Sequence, residues 1–336
     1  MSMNYRLAKT LAKLKTDMDK VSSELTQLLG ADDPLLRQPF NSLISPVSKK
    51  IRPLISLLSS SLVGYTGDYR ITLAVISEYI HMASLFHDDV VDKSDLRRGQ
   101  KTCRLLYGNS TSVLVGDYVY ARACELIATT GNLTILQLFA EAIKMMSLGE
   151  LKQLKFSRDL SDHPRVTMAE YLDIIRKKTG CLLAATAEAS YCMSVTQDPG
   201  AGTSSSLSGA LYEFGMNLGV AYQMIDDTLD YSQDRDDPLK PLTIDFDEGK
   251  WTLPLLLTYA ALSPGQDQEF FHNTFAHPET RLAHKGWFLE QIRVHKAFER
   301  SREQAKIITH KAIASLDLFP PCQAKDDLKN LTLSLL

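Results

Sequence analysis

Six aspartates stand in two copies of one pattern. In SLFHDDVVDKSDLRRG, residues 84–99, Asp88, Asp89 and Asp92 follow an apolar stretch. In GVAYQMIDDTLDYS, residues 219–232, Asp226, Asp227 and Asp230 repeat the spacing. On an α-helix, positions i and i+4 lie about 40° apart around the axis. Asp88 and Asp92 therefore share a face, with Asp89 on a neighbouring flank, and the second copy follows suit. Carboxylates grouped on apolar helices repel one another and are costly to desolvate unless a cation neutralises them. Oxygen-only donors spaced this way suit Mg²⁺, which takes a few carboxylates and completes its octahedron with water and substrate phosphate. One triad alone reads equally well as a solvated acidic helix end. A second on another apolar helix favours metal binding, with two facing acidic patches holding two or three Mg²⁺ as a receptor for a diphosphate.

Cations stand where a second anion would need them. Arg97 and Arg98 directly follow the first triad, and arginine forks grip phosphate oxygens bidentately without losing charge. Lys49, Lys50 and Arg52 lie in SKKIRP at the start of a helix, whose N–H groups also favour anions. Lys178 and Thr179 sit within an otherwise apolar helix, and Lys240 and Lys250 in a long loop. Each of these taken singly reads as a solvated surface charge. The Arg97-Arg98 pair differs, because the chemistry of the triad predicts its place. His87-Asp88 resembles the metal pair of helical phosphohydrolases, but that reading leaves the second triad unexplained. His81, almost two turns before Asp88, reads as a core histidine or as a phosphate-facing one.

The elements that must position these residues are helices. Apolar residues recur at spacings of three and four over 5–30, 70–92, 112–130, 134–157, 168–196, 206–231 and 285–318. Asp33 before Pro34 predicts a helix start, and Thr167 with Glu170 a capping box. There is no convincing run of alternating β-branched residues and no Asn-Gly turn, so an all-α fold is expected. The Pro199–Ser206 stretch is too short to separate domains, and one domain over 1–336 is expected. The longer irregular stretch 232–251 is of a length that is more often functional than idle.

With 336 residues, 44% of them hydrophobic, the chain can bury a large core, and its net charge of −3 gives no global pull towards nucleic acid or membrane. An anionic substrate must then be met by a local site. Five scattered cysteines without zinc spacing fit a reduced, cytoplasmic setting. No signal peptide or transmembrane span is expected.

The motifs KKIRP, EYIHMASLFHDDVVDKSDLRRG, GNSTSVLVGDYVYARA, GELKQL, KTG, GVAYQMIDDTLDY and DEGKWTLPLL occur in this order over nearly the whole chain. Together they resemble the trans-isoprenyl diphosphate synthases, most closely the long-chain, octaprenyl-type members. The resemblance implies an orthogonal helical bundle with a central cavity, a homodimer, and isopentenyl and allylic diphosphates as substrates. It implies Asp88, Asp92 and Asp226 as direct Mg²⁺ ligands, with Asp89, Asp227 and Asp230 acting directly or through water, and three ions with substrate bound. Arg97, Lys178 and Lys240 would hold the allylic diphosphate, with Lys250 nearby; Lys49, Arg52, His81 and Arg98 would hold the isopentenyl diphosphate. Thr179 and Gln223 would lie beside the reacting carbons.

The implied reaction ionises the allylic diphosphate, adds the isopentenyl double bond to the cation, and returns a proton to the released diphosphate. Small residues at Ala83 and Ser84, where short-chain members tend to carry aromatics, imply a product well beyond farnesyl, octaprenyl first, for example for a quinone side chain. Tyr79, one turn deeper than Ala83, would be a later stop. The chain departs from the family pattern at Val47-Ser48, Leu239 and Thr243, where glycines are usual. A geranylgeranyl-length synthase is the nearest alternative. A class I terpene cyclase would usually replace the second triad by an Asn/Ser/Glu-type motif, and a non-catalytic partner subunit would typically lose the aspartates.

Overall fold

The computed structural model describes residues 3–29, 50–97, 99–157, 166–197, 204–231 and 243–335. In chain order the helices are α1 (Met3–Leu29), α2 (Ile51–Leu62), α3 (Tyr69–Val91), α4 (Cys103–Tyr107), α5 (Asn109–Thr129), α6 (Leu133–Ser157), α7 (Met168–Ile175), α8 (Cys181–Gln197) and α9 (Ser205–Leu229). They continue as α10 (Ile244–Asp247), α11 (Leu253–Ala261), α12 (Gln266–Ala276), α13 (Pro278–Ala283), α14 (Lys285–Val294), α15 (Ala297–Ser315) and α16 (Gln323–Leu333). Two compact units are each assembled from separate stretches. The first takes Met1–Ile143, Leu182–Gly215 and Ala312–Ser334; the second takes Lys144–Cys181, Met216–Lys311 and Leu335–Leu336.

In the first unit most of the apolar residues of α3 are buried, while Arg70, His81, Ser84 and Asp88 form a half-buried polar stripe along one side. Leu73, Ala74, Val75, Ile76, Tyr79, Ile80 and Ala83 are each 0% exposed. α2 covers one flank with Leu54, Ile55 and Leu58, and α5 another with Val115, Val119 and Ala123. α5 comes close at Gly116, where a Cβ would lie 2.3 Å from Nε2 of His87 and would turn that ring aside. Ser112 Oγ donates to the Phe86 carbonyl at 2.9 Å, fixing the same junction. At the far end of the chain α16 packs on α1, where Thr10 Oγ1 donates to Asp327 at 2.8 Å.

In the second unit an aromatic cluster roots the segment that follows the second triad. Phe246 meets Phe288 at 5.2 Å between ring centroids, Phe271 meets Phe288 at 4.8 Å, and Trp251 meets Phe275 at 4.9 Å. Buried Arg281 donates to the carbonyls of Phe275 and Asp247, and Lys285 pairs with Asp247. These contacts brace the segment carrying Asp245 and Lys250.

The capping box at Thr167 and Glu170 is formed. Elsewhere the structure is more broken than the periodicity predicts. The run 168–196 is interrupted by a π turn, Arg176–Gly180. The run 285–318 breaks where Lys296 takes φ 51°, separating α14 from α15. A two-residue antiparallel ladder also forms, β1 (Leu96–Arg97) with β2 (Gln100–Lys101), through a turn in which Gly99 has φ 73°. The helix start at Asp33 and most of the stretches 199–206 and 232–251 lie outside the described residues.

Candidate active site

Both triads close a helix at its C-terminal end. Asp92 N–H donates to the Asp88 carbonyl at 2.8 Å, and Asp230 N–H to the Asp226 carbonyl at 3.0 Å, so the helical spacing holds through each triad. The C-terminal turn carries the negative end of the helix macrodipole. Three carboxylates there are disfavoured both by one another and by the dipole, a placement that asks for positive charge.

In the first triad Asp88 and Asp92 are half-buried, while Asp89 is 2% exposed. The β1–β2 turn brings Arg97 back onto Asp89, where Nε and Nη2 donate to Oδ1 at 2.9 and 2.8 Å. Burial pushes the Asp89 carboxyl up; Arg97 opposes that shift and Asp92 adds to it. His87 turns to α5 instead, its Nε2 lying 3.1 Å from the Val113 carbonyl and 3.3 Å from Asp117. Its bonds thus go to a helix flank.

The second triad borders an open concavity within the second unit. Its polar lining includes Gln153, Lys178, Thr179, Gln223, Asp226, Asp227, Asp245 and Lys250, and its apolar lining includes Phe156, Ile175 and Trp251. Three elements meet there because glycines permit it. A Cβ on Gly149 of α6 would lie 2.8 Å from the Lys178 backbone N, and one on Gly180 would lie 2.6 Å from Sδ of Met216 on α9. The π turn, a local widening often found at functional sites, presents Lys178 and Thr179. Lys178 is ion-paired with Glu150 and donates to Gln153 at 3.1 Å. Lys250 pairs with Glu248 at 2.6 Å and stands 3.8 Å from Asp245.

A continuous hydrogen-bonded chain runs through this lining. Thr179 Oγ1 donates to Gln223 Oε1 at 2.8 Å, Gln223 Nε2 donates to Asp227 Oδ1 at 2.9 Å, and Tyr171 O–H donates to Asp227 Oδ2 at 2.8 Å. Burial, with Asp245 adding to it, pushes the Asp227 carboxyl up to about 7 against the pull of its two donors. Asp230, 1% exposed, accepts from the Asp245 N–H through Oδ2 at 3.1 Å, and its carbonyl accepts from Thr243 N–H at 2.8 Å.

Among the other expected site residues, Arg52 is half-buried on the first turn of α2, and His81 is half-buried on α3. Lys50 donates to Ser22 Oγ on α1 at 2.7 Å. Ala83 and Tyr79 are fully buried, and half-buried Ser84 donates to the His81 carbonyl. Lys49, Arg98 and Lys240, with Val47, Ser48 and Leu239, lie outside the described residues.

The donor chemistry fits Mg²⁺. Asp88, Asp92 and Asp226 offer oxygen only, and all three are half-buried. Among the described residues no three His, Cys, Asp or Glu side chains close into a protein-made cage. Mg²⁺ is ordinarily held by one or two carboxylates with water and substrate phosphate rather than by such a cage.

Tyr171 and Asp245 are not singled out by the sequence, and Glu150 and Gln153 enter it only within the GELKQL motif, without a role. Glu150 and Gln153 are three apart on α6, a shared face that could have marked them. Tyr171 falls on an apolar position of α7 and gives no separate signal.

Comparison with known proteins bears on this arrangement. The family model described as polyprenyl synthetase matches residues 33–289. The chain is 35% identical over 315 residues to the octaprenyl diphosphate synthase of Escherichia coli (strain K12), covering 94% of both chains. It is 31% identical over 330 residues to heptaprenyl diphosphate synthase component 2 of Bacillus subtilis (strain 168), covering 97% of this chain and 88% of that one. Among solved structures it is similar to a polyprenyl synthase from Caulobacter crescentus CB15 complexed with calcium and isoprenyl diphosphate. That likeness has a TM-score of 0.87 at 35% identity and covers 97% and 96% of the two chains. A decaprenyl diphosphate synthase from Rhodobacter capsulatus gives a TM-score of 0.85 at 30% identity, over 98% of each chain.

Proposed function

The chain belongs to the polyprenyl synthetase family, and we propose that it is a Mg²⁺-dependent trans-prenyltransferase that condenses isopentenyl diphosphate with an allylic diphosphate such as geranyl or farnesyl diphosphate. The observation that carries this reading is the lining of one concavity by Asp226 and Asp227 together with Lys178, Lys250, Thr179 and Gln223. Such a site offers cation-binding oxygens, phosphate-binding ammonium groups and neutral dipoles side by side.

Asp88, Asp92 and Asp226 are the proposed Mg²⁺ ligands, with Asp89, Asp227 and Asp230 steadying them or joining through water. Bound Mg²⁺, three ions with substrate present, would supply the positive charge that favours departure of the diphosphate. Lys178, Lys250, Lys240 and Arg97 are assigned to the allylic diphosphate, and Lys49, Arg52, His81 and Arg98 to the isopentenyl diphosphate. Lys178 supports its part by being pre-set at the concavity by Glu150 and Gln153. The oxygens of Thr179 and Gln223 would lie beside the allylic carbocation and stabilise it by their dipoles.

The proposed product is all-trans octaprenyl diphosphate, supported by small Ala83 and Ser84 and by the octaprenyl synthase among the relatives. Because each compact unit is built from separated stretches of chain, the proposed working unit is the single domain 1–336. It is proposed to act as a homodimer, supported by exposed Leu105, Leu106, Val113 and Leu114 in one short stretch; light scattering on the purified protein checks that. A cytoplasmic setting is supported by five unpaired cysteines. No helix among the described residues is long and apolar enough to cross a membrane.

The test is incubation with Mg²⁺, farnesyl diphosphate and labelled isopentenyl diphosphate, followed by mass spectrometry of the lipid product. Elongation beyond farnesyl is expected, and its absence overturns the assignment.

A further inference from the structure

Tyr171 is 2% exposed on α7, and a phenylalanine would fill the same volume without a polar atom to bury. Burying a hydroxyl is unfavourable unless it is hydrogen-bonded. Its partner is Asp227 Oδ2 at 2.8 Å, and that bond fixes more than the tyrosine. The other oxygen, Oδ1, accepts from Gln223 Nε2 at 2.9 Å. In the structure Gln223 turns its NH₂ towards Asp227, the orientation that the ionised carboxylate, which only accepts, requires. Its carbonyl is thereby turned towards Thr179, whose hydroxyl donates to it at 2.8 Å. The orientation of the amide follows from Asp227, and that of Asp227 from Tyr171.

Without the phenol the carboxylate can swivel about its Cβ–Cγ bond and release Gln223. An amide free to flip offers an NH₂ where a carbonyl oxygen stood, reversing the sign of its dipole. We propose that Tyr171 is a positioning residue for elongation: acting through Asp227, it holds the Gln223 amide with its carbonyl on the Thr179 side, so that oxygen faces the concavity at that point. This rests on the prenyltransferase reading, in which those oxygens stabilise a carbocation.

Tyr171→Phe removes one oxygen and keeps the ring. Turnover should fall by about 10–100-fold, the range for outer groups that orient active ones. KM for both diphosphates should stay within about twofold, because the lost interaction acts on the transition state. In a Gln223→Ala background Tyr171→Phe should cost little further, because the group it positions is gone. An equal loss in both backgrounds, or unchanged turnover in the single variant, overturns the proposal. A crystal structure of Tyr171→Phe gives a readout independent of activity. Asp227 turned away from Gln223 supports the proposal, and an intact Thr179–Gln223–Asp227 chain overturns it. If the wild-type protein makes no elongated product, the functional reading fails, while this structural outcome still decides the positioning.

Discussion

Asp89 and Asp227 are the middle members of their triads, and each already has a donor bonded to it. Asp89 is held by two N–H groups of Arg97, so its removal frees a guanidinium and deletes a charge from the proposed metal-binding end at once. Asp89→Ala should lower turnover by about a hundredfold or more, the scale of losing one preorganised electrostatic group. Wild-type turnover at saturating Mg²⁺ would sink its assignment. Asp227 titrates at about 7 because burial and Asp245 outweigh its two donors. An unfolded aspartate titrates near 4, so the metal-free folded protein binds the extra proton between these values. The stability contributed by this group is therefore complete below about pH 4 and is lost as pH rises through about 7. Added Mg²⁺ favours the ionised form, so the rise in thermal midpoint on adding it should be larger at about pH 8 than at about pH 5.5. Calorimetry in buffers of different ionisation enthalpy should also show a proton released on binding. Equal midpoint shifts at both pH values would count against Asp227 as part of the metal site.

At the scale of the element, the segment after the second triad contains a conformational misfit. Thr243 sits at φ 64°, is 4% exposed, and donates its N–H to the Asp230 carbonyl. A β-branched residue pays for this left-handed backbone where glycine does not. Thr243→Ala and Thr243→Gly both delete the buried side chain, but only glycine relieves the backbone. The glycine variant should be the more stable of the two by about 1 kcal/mol in denaturant titration, and the reverse order would refute strain at this position. The same scale explains what the sequence could and could not reveal. Long helices such as α3 and α9 declare themselves because burial selects apolar residues on a repeating face. The π turn at Arg176–Gly180 is silent because one extra residue barely disturbs that spacing. The β1–β2 turn is too short to show alternation, so the return of Arg97 to Asp89 rather than simply to a ligand was not legible. The triads stood out because carboxylates grouped at the ends of apolar helices are conspicuous. Tyr171 did not, because a buried phenol has the periodicity of any core aromatic.

Product length is a property of the whole folded interior, and Ala83 is where one substitution should reset it. Ala83 and Tyr79 are both 0% exposed, one turn apart on α3. The Tyr79 hydroxyl donates to the Leu25 carbonyl of α1 at 3.3 Å, so the ring is tied to a neighbouring helix rather than free to swing aside. A phenyl group at position 83 must find room on this side of α3, at a cost of about 1–3 kcal/mol for overpacking. If the growing chain passes here, Ala83→Phe should truncate the product towards farnesyl or geranylgeranyl length while isopentenyl addition continues. Destabilisation alone would lower activity without shifting the product, and a second variant separates the two effects. Ala312 is equally buried but lies on α15, not on the helix that carries the first triad. Ala312→Phe should therefore lower the thermal midpoint comparably and leave the product ladder unchanged. Unshifted product in Ala83→Phe, or the same truncation in both variants, would remove Ala83 from the control of chain length.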